Sequence, residues 1–391
     1  MRAPRVALVT LALGLTLCGP AAAKDPGRWT LTGWSSVPIN YWQGVTTAGP
    51  GKPLFFSGLF TGLHRTTPRL TQTGSVDPVI PPLVLATEGY NHVGDIGSQG
   101  GRVLLPLECY TAGGPNGGNT CGTGSFGVAD PKTLAFQYYV KLDPAEIPKA
   151  MWVEGSPDGK LLWTSSGNDL LAYRAADVTA ANAAPTAAPI HSVRRLAGAV
   201  PPSGVTGAAF HRGRLLLAGS QGTTYQVWSV NVTTGKRRLE LELPNVHGES
   251  EGLTQVQLLG GRLHYLVAPL PPGQPTFGPS VGLLHFTTGR WAGRGLRVTS
   301  RSPDATSLTP TVIVTVKRHG HAVEGARVSV AGFRATTNRR GRATVRPKLG
   351  VAGNFAALAS KGRPALRGRS AFAHYGPAMA AAAGSVARAA R

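Results

Sequence analysis

The sequence predicts an all-β protein: a five-bladed β-propeller, six-bladed if one copy has degenerated, followed by a small β-sandwich. Two observations carry this. A pattern of apolar strand, tight turn ending in a Gly-cation pair and second apolar strand occurs five times, with its turn cations at 52, 102, 160, 214 and 262. The spacings of 50, 58, 54 and 48 residues leave room for four strands and their loops in each copy. Charge then divides the chain. Residues 290–391 hold 19 Lys and Arg against two acids, Asp304 and Glu324, a net of +17 out of +22, whereas residues 1–289 hold 21 bases and 16 acids.

At the start of the chain, Arg2 and Arg5 precede an apolar run from Val6 to Leu17 and a small-residue stretch, Ala21-Ala22-Ala23. This reads as a secretory signal peptide over residues 1–23, cleaved after Ala23. The run is too short to span a bilayer, which needs about 20 apolar residues. Cys18-Gly19 resembles a lipoprotein signal only in part, because Leu17 stands where that pattern has a small residue. The mature protein is therefore expected to be secreted or extracytoplasmic, in the periplasm or the cell envelope. Its two remaining cysteines, Cys109 and Cys121, close one Gly-, Asn- and Thr-rich loop as a disulfide in an oxidising compartment. A metal site at this pair would need closer spacing and His or Asp neighbours.

The propeller is expected over residues 24–301. Its copies run from Gln43-Gly44-Val45 to Leu54-Phe55-Phe56, from His92-Val93-Gly94-Asp95-Ile96 to Val103-Leu104-Leu105, and from Trp152-Val153-Glu154 to Leu161-Leu162-Trp163. Two more run from Thr206-Gly207-Ala208-Ala209-Phe210 to Leu215-Leu216-Leu217 and from Glu251-Gly252-Leu253-Thr254 to Leu263-His264-Tyr265. Outer strands are expected at Asp169 to Arg174 and Tyr225 to Asn231, and Trp29-Thr30-Leu31-Thr32 is expected to complete the last blade. The turn Ser156-Pro157-Asp158-Gly159-Lys160 resembles the hairpins of lactonase-like, TolB-like and WD-repeat propellers. That likeness implies the architecture only, since Asp-Gly supplies the positive φ of a tight hairpin.

Inner strands of a propeller begin at its central channel, so polar residues at the start of each copy are expected to converge there. These are Gln43, Thr46, Asn91, His92, Asp95, Glu154, Thr206, Glu249 and Glu251. Asn91, Asp95, Glu154 and Glu251 are candidate ligands for a hard cation such as Ca²⁺, which takes six to eight oxygens. His92, Asp95 and Glu251 are candidate acid-base groups for an ester or lactone. The competing expectation is that the same residues cap strands and satisfy backbone groups. Unidentified small ligands of the channel remain open at this point.

Other motifs are excluded by context. Gly122-Thr123-Gly124-Ser125-Phe126-Gly127 fits the dinucleotide fingerprint but lacks the strand and helix that fingerprint requires. Gly278-Pro279-Ser280-Val281-Gly282 fits a nucleophile elbow but leads into a strand-like run. There is no H-E-x-x-H and no C-x-x-C. The sequon at Asn231 is set aside because the Ala, Gly and Arg bias suggests a GC-rich bacterial genome.

Past an expected linker at 302–309, residues 310–375 alternate as strands at Thr311 to Lys317, Ala326 to Val330, Arg342 to Val345 and Phe355 to Ala359. Ala322-Val323-Glu324-Gly325-Ala326-Arg327-Val328, then Ala335-Thr336-Thr337-Asn338 and Gly341-Arg342-Ala343, resemble carboxypeptidase-regulatory-like and bacterial Ig-like sandwiches. The resemblance implies an accessory or adhesive module without catalytic residues. His319 and His321 lie in a turn and read as solvated. So basic a module, once exported, suits an anionic cell-wall polymer or membrane surface. Nucleic acid is disfavoured by the scarcity of aromatics for base stacking. Residues 376–391 read as a disordered or frayed helical tail, and the chain as an envelope-associated binding protein, with a secreted lactonase- or esterase-type hydrolase holding a cation in its central channel as the alternative.

Overall fold

A computed structural model describes residues 29–374 apart from 59, 112–119, 181–187, 223, 244–248, 259–260, 269–280, 289–294, 305–306, 308, 332, 348–352 and 363–365. The expected signal peptide, Cys18, Ser280 and the C-terminal tail lie outside the described residues. Strand β1 (Trp29–Val37) comes first. A first sheet follows from β2 (Gly44–Thr47), β3 (Leu54–Ser57), β4 (Leu63–Thr66) and β5 (Gln72–Val76). After the short helix α1 (Pro82–Glu88), the second sheet is built from β6 (His92–Val93), β7 (Gly97–Gln99), β8 (Arg102–Glu108), β9 (Ser125–Ala129) and β10 (Phe136–Lys141). The third has β11 (Glu154–Gly155), β12 (Leu161–Ser166), β13 (Asp169–Arg174) and, beyond helix α2 (Ala175–Thr179), β14 (Arg194–Leu196).

A fourth sheet holds β15 (Gly207–His211), β16 (Arg214–Gln221), β17 (Thr224–Val230) and β18 (Arg237–Leu243). The fifth holds β19 (Glu249–Leu258), β20 (Gly261–Ala268) and β21 (Val281–Thr288), and its outer strand is β1, antiparallel to β21. All pairing within the five sheets is antiparallel. Each of the five Gly-cation pairs falls at the turn between the first two strands of a sheet or at the start of the second strand. Four of the glycines have φ between 71° and 75°, the left-handed conformation a tight turn needs: Gly51, Gly101, Gly159 and Gly213. In the Ser-Pro-Asp-Gly-Lys turn, the Ser156 backbone N–H donates to Leu161 O at 2.8 Å, and the Leu161 N–H to Ser156 Oγ at 2.9 Å.

Packing shows why the second strands read as unbroken apolar runs. Side chains alternate across a strand, and both faces of each sheet are covered. Leu215 and Leu217 pack on the third sheet with Trp163, while Leu216 and Ala218 pack on the fifth with Leu253. Val103 and Leu105 face the first sheet, and Leu104 faces the third. Phe56 meets Val256 and Leu283 of the fifth sheet, which closes the circle. The core is thus a set of wedges between neighbouring sheets, and fully burying one such Leu or Phe stabilises by about 1.5–3 kcal/mol. The inner strands touch in cyclic order, β2 to β7 to β11 to β15 to β19 and back to β2. The described chain is all-β with a propeller-like ring of sheets.

Further on come β22 (Arg297–Arg301), β23 (Val312–Arg318), β24 (His321–Ala322), β25 (Arg327–Val330), β26 (Phe333–Thr336), β27 (Arg342–Val345), β28 (Gly353–Lys361) and β29 (Leu366–His374). They make two four-stranded sheets, one of β22, β23, β24 and β27, the other in the order β26-β25-β28-β29. Val298, Val312, Val314, Val316, Val328, Val330 and Ala357 share one buried cluster with side chains of the fourth and fifth sheets of the ring. Arg297–Arg301, expected before the linker, instead pairs with β23. The alternation Val298-Thr299-Ser300 puts Val298 into that core, so the C-terminal sheets begin before the linker expected at 302–309.

Candidate functional site

The axis of the ring is occupied by Asp95. At Gly94-Asp95-Ile96 the chain leaves β8 and pairs in parallel with the next sheet's lead-in: the Asp95 N–H donates to Met151 O at 2.9 Å and the Val153 N–H to Asp95 O at 3.1 Å. The Asp95 carboxylate, 2% exposed, then accepts from three backbone N–H groups. Oδ1 receives Val45 of β2 at 3.0 Å, and Oδ2 receives Ala208 of β15 at 3.0 Å and Leu253 of β19 at 3.4 Å. One residue thereby binds all four of the other inner strands or their lead-ins. Burial pushes its carboxyl well above the ordinary range, against the pull of the Val45 and Ala208 N–H groups.

Glycines allow this approach. A Cβ on Gly44 would lie 2.6 Å from Asp95 Cα, one on Gly252 2.6 Å from Asp95 Oδ1, and one on Gly94 2.0 Å from Met151 O. Next to Asp95, Glu154 Oε1 accepts the Phe210 N–H at 3.1 Å, and burial pushes its carboxyl up to about 8.

Asn91 and His92 are engaged elsewhere. Asn91 binds the backbone of Tyr110, its Oδ1 accepting the Tyr110 N–H at 2.6 Å and its Nδ2 donating to Tyr110 O at 2.9 Å. The strand edge thus takes both ends of its amide. His92 Nδ1 meets Glu108 Oε1 at 2.7 Å, its cross-strand partner, and Lys149 Nζ lies 3.8 Å from Glu108 Oε2. Among the described residues, the group of three or more His, Cys, Asp or Glu whose ligand atoms lie within 4.8 Å of one another is Asp143, Glu146 and His191, not Asp95, Glu154 and Glu251. Sequence reading missed this trio because His191 lies 45 residues beyond Glu146 in the sequence, and the two segments are brought together at the Leu142–Ile190 bridge.

Glu251, 5% exposed, lies in β19 beside Glu249, and burial and that second carboxyl hold it well above its ordinary range. Trp42 Nε1 donates to Glu249 Oε2 at 3.2 Å. Sequence reading found Glu249 and Glu251 but missed Ser250 between them, Trp42, and Tyr225 and Tyr265 of neighbouring strands. The disulfide joins Cys109 to Cys121 with Cα atoms 5.4 Å apart.

On the C-terminal sheets, the outward positions of β22, β23 and β27 are Arg297, Thr299, Arg301, Ile313, Thr315, Lys317, Arg342 and Thr344. Arg297 stands directly opposite Lys317, and Thr315 opposite Arg342. None of these strands contains a carboxylate.

No protein-family model and no curated protein matches this chain. Among solved structures, it is similar to the glutaminyl cyclase of Myxococcus xanthus, with 10% identity over 67% of this chain and 97% of that one, at a TM-score of 0.41. The exo-β-1,3-galactanase of Phanerochaete chrysosporium gives 10% identity over 83% and 95% at 0.41, and the Pan2 WD40 domain of Neurospora crassa 11% over 89% and 96% at 0.35. At these scores none of the likenesses bears on what this chain does, and its propeller-like character stands on the ring of sheets itself. No helix among the described residues is long and apolar enough to cross a membrane.

Proposed function

We propose that this protein is an exported, envelope-associated binding protein, with a five-bladed β-propeller as its rigid platform and a basic β-sandwich as its attachment module. The carboxylate-free face of β22, β23 and β27 carries the reading. Placing two cations directly opposite on one sheet face costs stability, and a stretch of sheet that keeps Arg297 against Lys317 with no acid among its strands suits a surface used against an anionic polymer or headgroup layer. Five sheets with a cyclic core support the blade count, and two sheets sharing a valine core support the sandwich. Export is supported by the charged, apolar and small-residue order of residues 1–23 and by a disulfide of the kind that persists in oxidising compartments.

The alternative of a secreted lactonase- or esterase-type hydrolase draws less support. Asp95 spends both oxygens on backbone N–H groups, and His92 is paired with Glu108 rather than with either acid.

The test is sedimentation of the purified protein with isolated anionic cell-wall polymer across a salt series. Binding is expected at low ionic strength, to fade as the screening length shortens from about 10 Å at 0.1 M, and to be lost in a Lys317→Ser, Arg297→Ser, Arg342→Ser variant that melts no lower than the parent. Retention of binding by that variant overturns the proposal.

A further inference from the structure

Where the fourth and fifth sheets meet near the axis, the protein leaves polar atoms unmatched. Glu251 Oε1 and Tyr225 Oη are both buried without a hydrogen-bond partner, in side chains 5% and 1% exposed. Their neighbours are already committed. Ser250 Oγ shares a hydrogen bond of 2.5 Å with Tyr265 Oη and one of 2.8 Å with Thr206 Oγ1. The Tyr225 and Tyr265 rings lie 5.9 Å apart, and Tyr225 feels the charge of both Glu251 and Glu249. Glu249 is exposed, and its Oε2 takes the Trp42 indole N–H. Glu249 and Trp42 thus lie toward solvent, while Glu251 and Tyr225 are buried.

Two carboxyls side by side need a proton or a cation between them. A buried hydroxyl and a buried carboxyl oxygen without partners mark a place where a donor is missing. Glu251 Oε1, Tyr225 Oη and the Glu249 carboxylate are fewer oxygens than the six to eight a Ca²⁺ ion takes, a set better suited to the three N–H bonds of an alkylammonium. The Trp42 indole suits a cation as well.

We infer that Glu251, Glu249, Tyr225 and Trp42 form a receptor for a primary ammonium group, such as the end of an amino-bearing chain or sugar. The inference rests on the reading of the ring as a binding platform and names what the platform holds. Binding replaces the proton shared by the two carboxyls, which leaves to solvent as the ammonium enters, so charge balances.

Calorimetry of the full chain at 0.15 M NaCl, in two buffers of different ionisation enthalpy, tests it with n-butylammonium, tetramethylammonium and Ca²⁺ as probes. Butylammonium is expected to bind with release of about one proton, and tetramethylammonium, with no N–H, not to bind. Tyr225→Phe is expected to weaken butylammonium roughly tenfold, and Glu251→Gln to abolish binding, with Glu249→Gln as the second variant should Glu251→Gln not fold. Equal binding of the two ammonium ions, unchanged binding by the variants, no binding at all, or displacement of the amine by Ca²⁺ each overturns the inference. Cell-wall polymer binding by the same variants is expected to stay intact, so failure here is distinct from failure of the envelope reading.

Discussion

Arg297 and Lys317 face each other across β22 and β23 as a cross-strand pair of like charge. Such a pair costs about 0.2–1 kcal/mol relative to a neutral one. Replacing Lys317 by Thr is therefore expected to raise stability by that amount in low-salt denaturant titrations, with the gain shrinking in 1 M salt. An unchanged or lowered midpoint contradicts the assignment of strain to this pair.

Asp95 is the only side chain in the described residues shown to bind three other inner strands at once. Asp95→Ala strands three buried N–H groups, and each unmatched group costs about 1–3 kcal/mol, so a loss of at least about 3 kcal/mol is expected. Asp95→Asn keeps one acceptor oxygen and is expected to lose less, about 1–3 kcal/mol. Urea melts of the two variants read the order directly, and equal losses count against the hub.

Gly252 makes a sharper test of the same axis, because its missing side chain is what lets Asp95 Oδ1 and Gly44 come close. Gly252→Ala places a Cβ 2.7 Å from Gly44 Cα, backbone that cannot step aside cheaply. Overpacking of this kind costs about 1–3 kcal/mol or more. Gly167→Ala is the strain control: its φ of 55° is left-handed, a penalty Gly252 does not carry, but a Cβ there meets nothing within 4 Å. A larger loss at Gly252 than at Gly167 assigns the cost to crowding.

Two buried sets of groups titrate in opposite directions. Glu154 is held up to about 8 by burial, so the folded protein keeps its proton where the unfolded chain has released it. Stability from this group is full below the ordinary value of 4.5 and falls as pH rises toward 8. His264 and His285 are pushed down from 6.5 to about 4 and about 3 by burial. Their neutral pair is favoured by folding, so stability is full above 6.5 and falls as pH drops toward 4 and 3. Glu154→Gln is expected to be more stable than the parent at pH 8 and equal at pH 4.5, and His285→Gln to flatten the acid limb. Thermal melts from pH 3 to pH 9 decide both.

Much of the ring was legible because its strands obey a strong local rule: a Gly-cation turn followed by a run such as Leu215-Leu216-Leu217, whose alternate side chains serve two interfaces. The bridge between distant parts was not legible. Asn91 and Asp95 look alike in sequence, each polar and near an inner strand, yet a break at Gly94 sends one to a strand edge and the other to the axis. Nothing local announces that break. The pairing of Arg297–Arg301 with β23 was not legible for a related reason, since the polar stretch around Pro303 reads locally as a linker while Val298, facing in, decides the pairing. Tyr225 and Trp42 escaped notice because a site assembled from three sheets leaves no spacing to read.

The pairing of β1 with β21 sets the order in which this molecule can be completed. Ser35 and His285, joined at 2.8 Å, are 250 residues apart, and the hydrogen bonds continue through His264 to Val256 O of β19. A chain synthesised from its N-terminus makes this latch strand before the rest of the ring and its partner after it. Until then the ring stays open and both of its edges are exposed for pairing with other chains. Contacts of such sequence separation are the slow ones in folding, so the latch is what fixes how long the growing protein needs protection from its neighbours.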